Sequence, residues 1–143
     1  MPSVRPFFNV QDFLLFMPSI VQKLSQTPIS KVKFDGKSVS LDYGGKRLSY
    51  AVVKRNTCFV GNWSRSSTEV YYDAHLNDPV EIESICIHEA VEKYVTEAFK
   101  LDVDTQSHRI AQAIEKRWFQ KHRRSWAYYN KQVTKIWREH GSC

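Results

Sequence analysis

The chain has 143 residues, 42% of them hydrophobic and 25% charged, with a net charge of +6. That is the size and make-up of one globular domain, long enough to bury a core without disulfide or metal staples. No stretch approaches the roughly 18 apolar residues that a membrane helix needs, which argues against a membrane partner, and MPSVRPFF lacks the apolar core of a secretory signal.

Along the chain, Asn9 with Asp12 three residues on opens a helix over about 10–25. Phe13, Leu14, Met17, Val21 and Leu24 form its apolar stripe, and Pro18 is placed to kink it. KVKFD (31–35), SVSLDY (38–43) and RLSYAVVK (47–54) alternate in polarity and are split by Gly36-Lys37 and Gly44-Gly45, the pattern of a hairpin or meander. TCFVG (57–61) and TEVYYD (68–73) read as two further strands. The polar loop NWSRSS joins them, with Trp63 in it as a packing residue.

Then the period changes. In Asp78-Pro79-Val80-Glu81 an Asp caps, Pro takes the first helical position and Glu follows three residues after the cap. This predicts a helix from 79 to about 100, a second over 105–122 capped by Asp104, and a basic third over 124–139. The sum is a single α+β domain: a small antiparallel sheet (31–73), a helical hairpin and a C-terminal helix.

Three cysteines, Cys58, Cys86 and Cys143, with no CxxC pair argue against a disulfide framework and a cysteine zinc site. Cys86 reads as a small packing residue, and a reducing, cytoplasmic setting is expected.

The chemistry concentrates in the hairpin. At 100° per residue, His88 and Glu92 fall amid Ile85, Val91, Val95 and Phe99, while Glu83, Cys86, Ala90, Lys93 and Glu97 fall on the other side. Glu89 lies at the edge of the apolar stripe. On the second helix His108 and Glu115 likewise share the face of Ala111, Trp118 and Phe119. An unpaired buried carboxylate costs several kcal/mol, so two helices that each aim a His and a Glu inward must compensate one another or share a cation. If the helices turn at about 102–103, Glu115 comes level with residue 90, while His108 sits nearly a turn and a half from Glu92. His88, Glu92 and Glu115 are then the favoured ligands. His108 is an outer partner, or a ligand if the helices cross differently. A hydrogen-bonded core network without metal is the other reading. His75, just before the first of these helices, is a further histidine that could approach the cluster.

The run ICIHEAVEKY (85–94) resembles the HExxH helix of zincin metalloproteases, whose two His bind zinc and whose Glu is the general base. VYYDAHL (70–76) resembles the substrate-side edge strand of that family, and a Glu on the following helix resembles the gluzincin branch. The resemblance implies His88 as ligand, Glu89 as general base and Glu115 as third ligand of a divalent ion, acting on a peptide or protein substrate. Glu92 stands where the family has its second His. A His/Glu/Glu set is harder than His₂Glu, which brings in manganese or iron beside zinc. With SHRIAQAIEKRW (107–118), the pattern also resembles small archaeal and phage proteins with a minimal zincin core, over about 40–50 of the 143 residues.

Residues 116–140 carry eight Lys/Arg against one acid and are interleaved with aromatics. Arg117, Lys121, Arg123, Arg124, Trp126, Lys131 and Lys135 suit nucleic acid or another acidic partner, charges on phosphates and rings on bases. The same spacing also suits an amphipathic helix whose aromatics pack inward. No Gly-rich phosphate loop or GxSxG elbow occurs.

Overall fold

A computed structural model describes residues 19–57, 59–122 and 124–140. Helix α1 (Ile20–Gln26) begins at Ser19, whose hydroxyl accepts from the Gln22 backbone while the Gln22 side chain accepts from the Ser19 N–H. The rest of the first predicted helix, with Pro18, lies outside the described residues.

Strands β1 (Ile29–Phe34), β2 (Ser38–Tyr43) and β3 (Lys46–Arg55) form the expected antiparallel meander. Gly44 and Gly45 have φ of +57° and +78°, the two left-handed positions that a two-residue hairpin turn requires. Val39, Leu41 and Tyr43 alternate inward and are fully buried. Two short strands follow, β4 (Gly61–Trp63) and β5 (Glu69–Asp73), and the strand order is β1-β2-β3-β5-β4.

The α+β class holds, with one correction: the sheet is mixed. β5 runs parallel to β3 and antiparallel to β4. Of the described residues of TCFVG only Gly61 is in a strand; β4 starts there and takes Asn62 and Trp63 from the stretch that reads as loop. After β3 the chain passes to the outer edge, and β5 returns into the gap. Val70 and Tyr71 are buried there, so the apolar segment takes the interior place and Gly-Asn-Trp the edge. The strand part of VYYDAHL, up to Asp73, is therefore interior, and the edge on that side of the sheet is β4.

Helix α2 (Pro79–Phe99) starts as its sequence dictates, with the Asp78 carboxylate accepting from Val80 and Glu81 N–H at 2.8 and 3.3 Å. Arg124 also donates to Asp78. Burial raises the Asp78 carboxyl, but Arg124 and the two amides outweigh it and hold it below its ordinary 3.8. A depressed acid stabilises the fold above its ordinary pKa and loses that contribution as pH falls through the folded value. Asp78→Ala is expected to cost about 1–2 kcal/mol at pH 7 in urea unfolding, and the difference should shrink below pH 3.8.

α2 lies between the sheet and the next helix, and every residue from Ser84 to Lys93 is buried. Cys86, Ala90 and Lys93 are thus not outward as the helical wheel has them, because both faces are covered. Burial pushes the Cys86 thiol well up, so it is an inert packing group. Lys100 ends the helix in a left-handed conformation with φ 56°.

A π-helical turn (Val103–Ser107) leads into α3 (His108–Lys121), and α4 (Trp126–His140) follows. Asp102 caps the turn at Thr105, and the Ser107 N–H reaches back five residues to the Asp102 carbonyl at 2.9 Å. Ile110, Ile114 and Phe119 close the core over Val91 and Val95. No helix of the described residues is long and apolar enough to cross a membrane.

Candidate metal centre

His88 and Glu92 stand one turn apart on α2 and project to one side. His88 Nε2 lies 3.1 Å from Glu92 Oε2, and His88 Nδ1 lies 2.9 Å from Glu115 Oε1 on α3. His108, the first residue of α3, places Nδ1 3.2 Å from the same Glu92 Oε2. One donor atom each from His88, Glu92 and His108 lie within 4.8 Å of one another, a group able to hold a metal ion.

The carboxylates are oriented from behind. Trp63 Nε1 donates to Glu92 Oε1 at 2.9 Å, leaving Oε2 for the histidines. Glu115 Oε2 accepts from Ser84 Oγ at 2.9 Å and from the Tyr129 hydroxyl of α4. Glu115 thus steadies His88 from behind, and it is not part of the group whose donor atoms lie within 4.8 Å of one another. The favoured sequence set has Glu115 among the ligands and His108 as an outer partner or as a ligand in a differently crossed pair; the group close enough to hold an ion has His108 where that set has Glu115. The cause is the π turn, which carries an extra residue and offsets α3 from a helix begun at 102–103. A hydrogen bond of 2.7 Å between the Thr96 and Ser107 hydroxyls pins that offset.

Charge follows geometry. Burial lowers the His88 imidazole, yet the Glu115 charge and hydrogen bonds to Glu115 and Glu92 carry it well above its ordinary value. Burial raises Glu92, and its bonds from His108, His88 and Trp63 bring it far below the ordinary range. Burial next to Glu115 pushes the Tyr129 phenol well up, which keeps it a donor.

Glu89 has no such partners. Among the described residues its carboxyl makes no side-chain hydrogen bond, and burial pushes its pKa up, with His88 opposing and Glu92 and Glu115 adding. It faces β4 at Gly61, where a Cβ would stand 2.7 Å from both Glu89 Oε1 and Ile85 Cγ2. Only glycine lets the edge strand come this close to α2. Gly61→Ala is expected to cost about 1–3 kcal/mol by displacing Glu89 and Ile85, measured as a lower urea midpoint at unchanged slope.

The centre opens into a cleft of about 570 Å³ between β4, α2, the π turn and α4. His88, Glu89, Glu92 and His108 all line it.

No family profile, curated protein or solved structure matches this chain.

The basic set is divided by the structure. Arg124 is engaged with Asp78, and Trp126 is half-buried, packed on Phe119 and Tyr129 and facing the cleft. Arg117 donates to the Thr27 carbonyl, and Lys121, Lys131 and Lys135 are exposed. Arg123 lies outside the described residues. His75 does not join the centre; its Nδ1 lies 2.6 Å from Asp73 and its ring stacks on His140 at 3.7 Å.

Three residues that orient the centre escape a sequence reading. Ser84 lies one turn before His88 and could be found by spacing. Trp63 and Tyr129 come from a loop-like stretch and from the basic tail, and nothing local marks them.

Proposed function

We propose that this protein binds one divalent cation, zinc foremost, through His88, Glu92 and His108, and hydrolyses amide bonds with Glu89 as general base. The observation that carries this reading is the convergence of three donor atoms within 4.8 Å at the floor of an open cleft. The donor chemistry fits. Two imidazoles and a carboxylate are a set that zinc takes in hydrolytic sites, and the Glu115–His88 contact is the carboxylate–histidine arrangement that fixes a ligating ring. The same set also suits iron or manganese, so elemental analysis identifies the ion. The resemblance of ICIHEAVEKY to the zincin helix supports these roles for His88 and Glu89.

A cation bound there supplies Lewis-acid polarisation of a carbonyl and a more acidic water. Glu115 holds His88 in one tautomer, and Trp63 holds Glu92 in one orientation. Glu89, which makes no side-chain hydrogen bond among the described residues, would in its ionised form take a proton from water in the cleft and return it to a leaving amine; its pKa, raised to about 8 by burial, places that form toward the alkaline side. The outer edge of β4 beside Glu89, which pairs with no strand among the described residues, offers main-chain groups to an extended peptide.

Elemental analysis of untagged protein purified without chelator tests the reading, and its pH dependence sharpens it. His88 is raised above 6.5 in the fold, so its proton stabilises the metal-free protein below that value and the contribution is lost as pH rises through the folded pKa. Glu89, raised above 4.5, acts in the same direction from that pH upward. Protons and cation compete for one place. The stabilisation on adding zinc, read as a rise in Tm, is therefore expected to grow between pH 6 and 8, with a free energy approaching the roughly 2.7 kcal/mol that a ligand at 100 times its Kd contributes. A rise independent of pH would count against His88 as a ligand.

A further inference from the structure

We infer that the cleft selects a polypeptide with a bulky apolar side chain beside the bond to be cut; this rests on the hydrolase reading and names its substrate class. Helix α4 is amphipathic, yet Tyr129 is its only buried residue. Its inner stripe, Trp126, Val133 and Trp137, is only partly covered by the core, against which Trp126 and Val133 pack, and its remaining surface forms one wall of the cleft. Phe59 and Val60 stand on the β4 side, and Ile85, one turn before Glu89, lies between. Phe59 and Trp137 are 57% and 48% exposed, two large apolar side chains left in water on the rim of one cavity. None of the lysines or arginines of α4 lines it; Lys131, Lys135 and Arg138 are exposed elsewhere on the helix.

Apolar surface left in a concave site is stabilised by an apolar ligand group. The occupant is polypeptide because the recess is continuous with the outer edge of β4, which no strand pairs among the described residues. A chain that lies along that edge sends alternate side chains to one face, toward the recess. Filling it with Leu or Phe in place of Gly corresponds to roughly a 10- to 100-fold preference.

The test uses the full chain loaded with zinc and blocked hexapeptides Ala-Ala-X-Ala-Ala-Ala in which X is Gly, Asp, Leu or Phe. Binding is read by calorimetry and cleavage by mass spectrometry. Leu and Phe peptides should bind and be cut roughly 10- to 100-fold better than Gly and Asp peptides. Val133→Arg should abolish the preference with zinc content unchanged. Trp137→Ala, at an exposed position, should weaken it if the Arg variant does not fold. Equal use of all four peptides, or a preference that survives both substitutions, overturns the inference. Selective binding without cleavage, or without zinc uptake, supports the recess and rejects the hydrolase reading instead.

Discussion

His108→Ala is expected to lower zinc affinity by more than about 100-fold while the protein stays folded. Loss of an outer hydrogen-bond partner of a metal ligand typically costs 10–100-fold, and loss of a ligand itself costs more. The His108 side chain is 49% exposed, so its removal opens no buried void. His88→Ala should abolish binding outright, but with a second effect. It leaves Glu92 and Glu115 buried around a vacant space without the ring that both contact, a situation that costs about 3–5 kcal/mol. Circular dichroism and a urea titration separate the two consequences. The decisive measurement is metal content by elemental analysis, with equilibrium dialysis for the variants. Wild-type protein that carries no ion and takes up none would make the cluster a buried hydrogen-bonded network. His108→Ala protein that keeps full affinity would remove His108 from the donor set.

Glu89→Gln is expected to reduce amide hydrolysis roughly 10²- to 10⁴-fold and to leave zinc content unchanged. The substitution is mild on structural grounds. Burial pushes the Glu89 carboxyl up toward its neutral form, and glutamine copies that form in shape while removing a proton acceptor. Glu89 contributes no atom to the donor group, so binding should not follow activity down. Single-turnover rates on a peptide and metal analysis of the same sample give both readings. Loss of metal together with activity would mean that Glu89 shapes the donor group; full activity would deny it the role of base.

Much of the fold is legible where one local rule suffices. Asp78-Pro79-Val80-Glu81 marks the start of α2 because cap, ring and carboxylate act within one turn. Gly44-Gly45 marks the hairpin because only two consecutive left-handed residues close it. The sheet order is not legible, since β4 and β5 differ from a plain meander only in which of them wins the interior. That contest is settled by the burial of Val70 in the core that α2 covers and of Tyr71 on the opposite face of the strand, a long-range matter. The site divides the same way. His88 and Glu92 follow from helical phase. The exchange between His108 and Glu115 follows from a π turn, and VDTQS carries no pattern that separates π from α. The aromatics of 126–137 read equally as nucleic-acid contacts or as an inner face, because periodicity shows which residues share a side and not what that side meets.

The chain of contacts from His88 through Glu115 to the Tyr129 hydroxyl has a practical meaning for anyone trimming this protein. The helical pair over 79–122 looks self-sufficient, since it contains all three donors. Cut free at residue 122, however, it would keep a buried carboxylate oxygen that has lost one of its two donors, and the ring it steadies would loosen with it. The smallest autonomous unit that carries an ordered centre must extend beyond Tyr129.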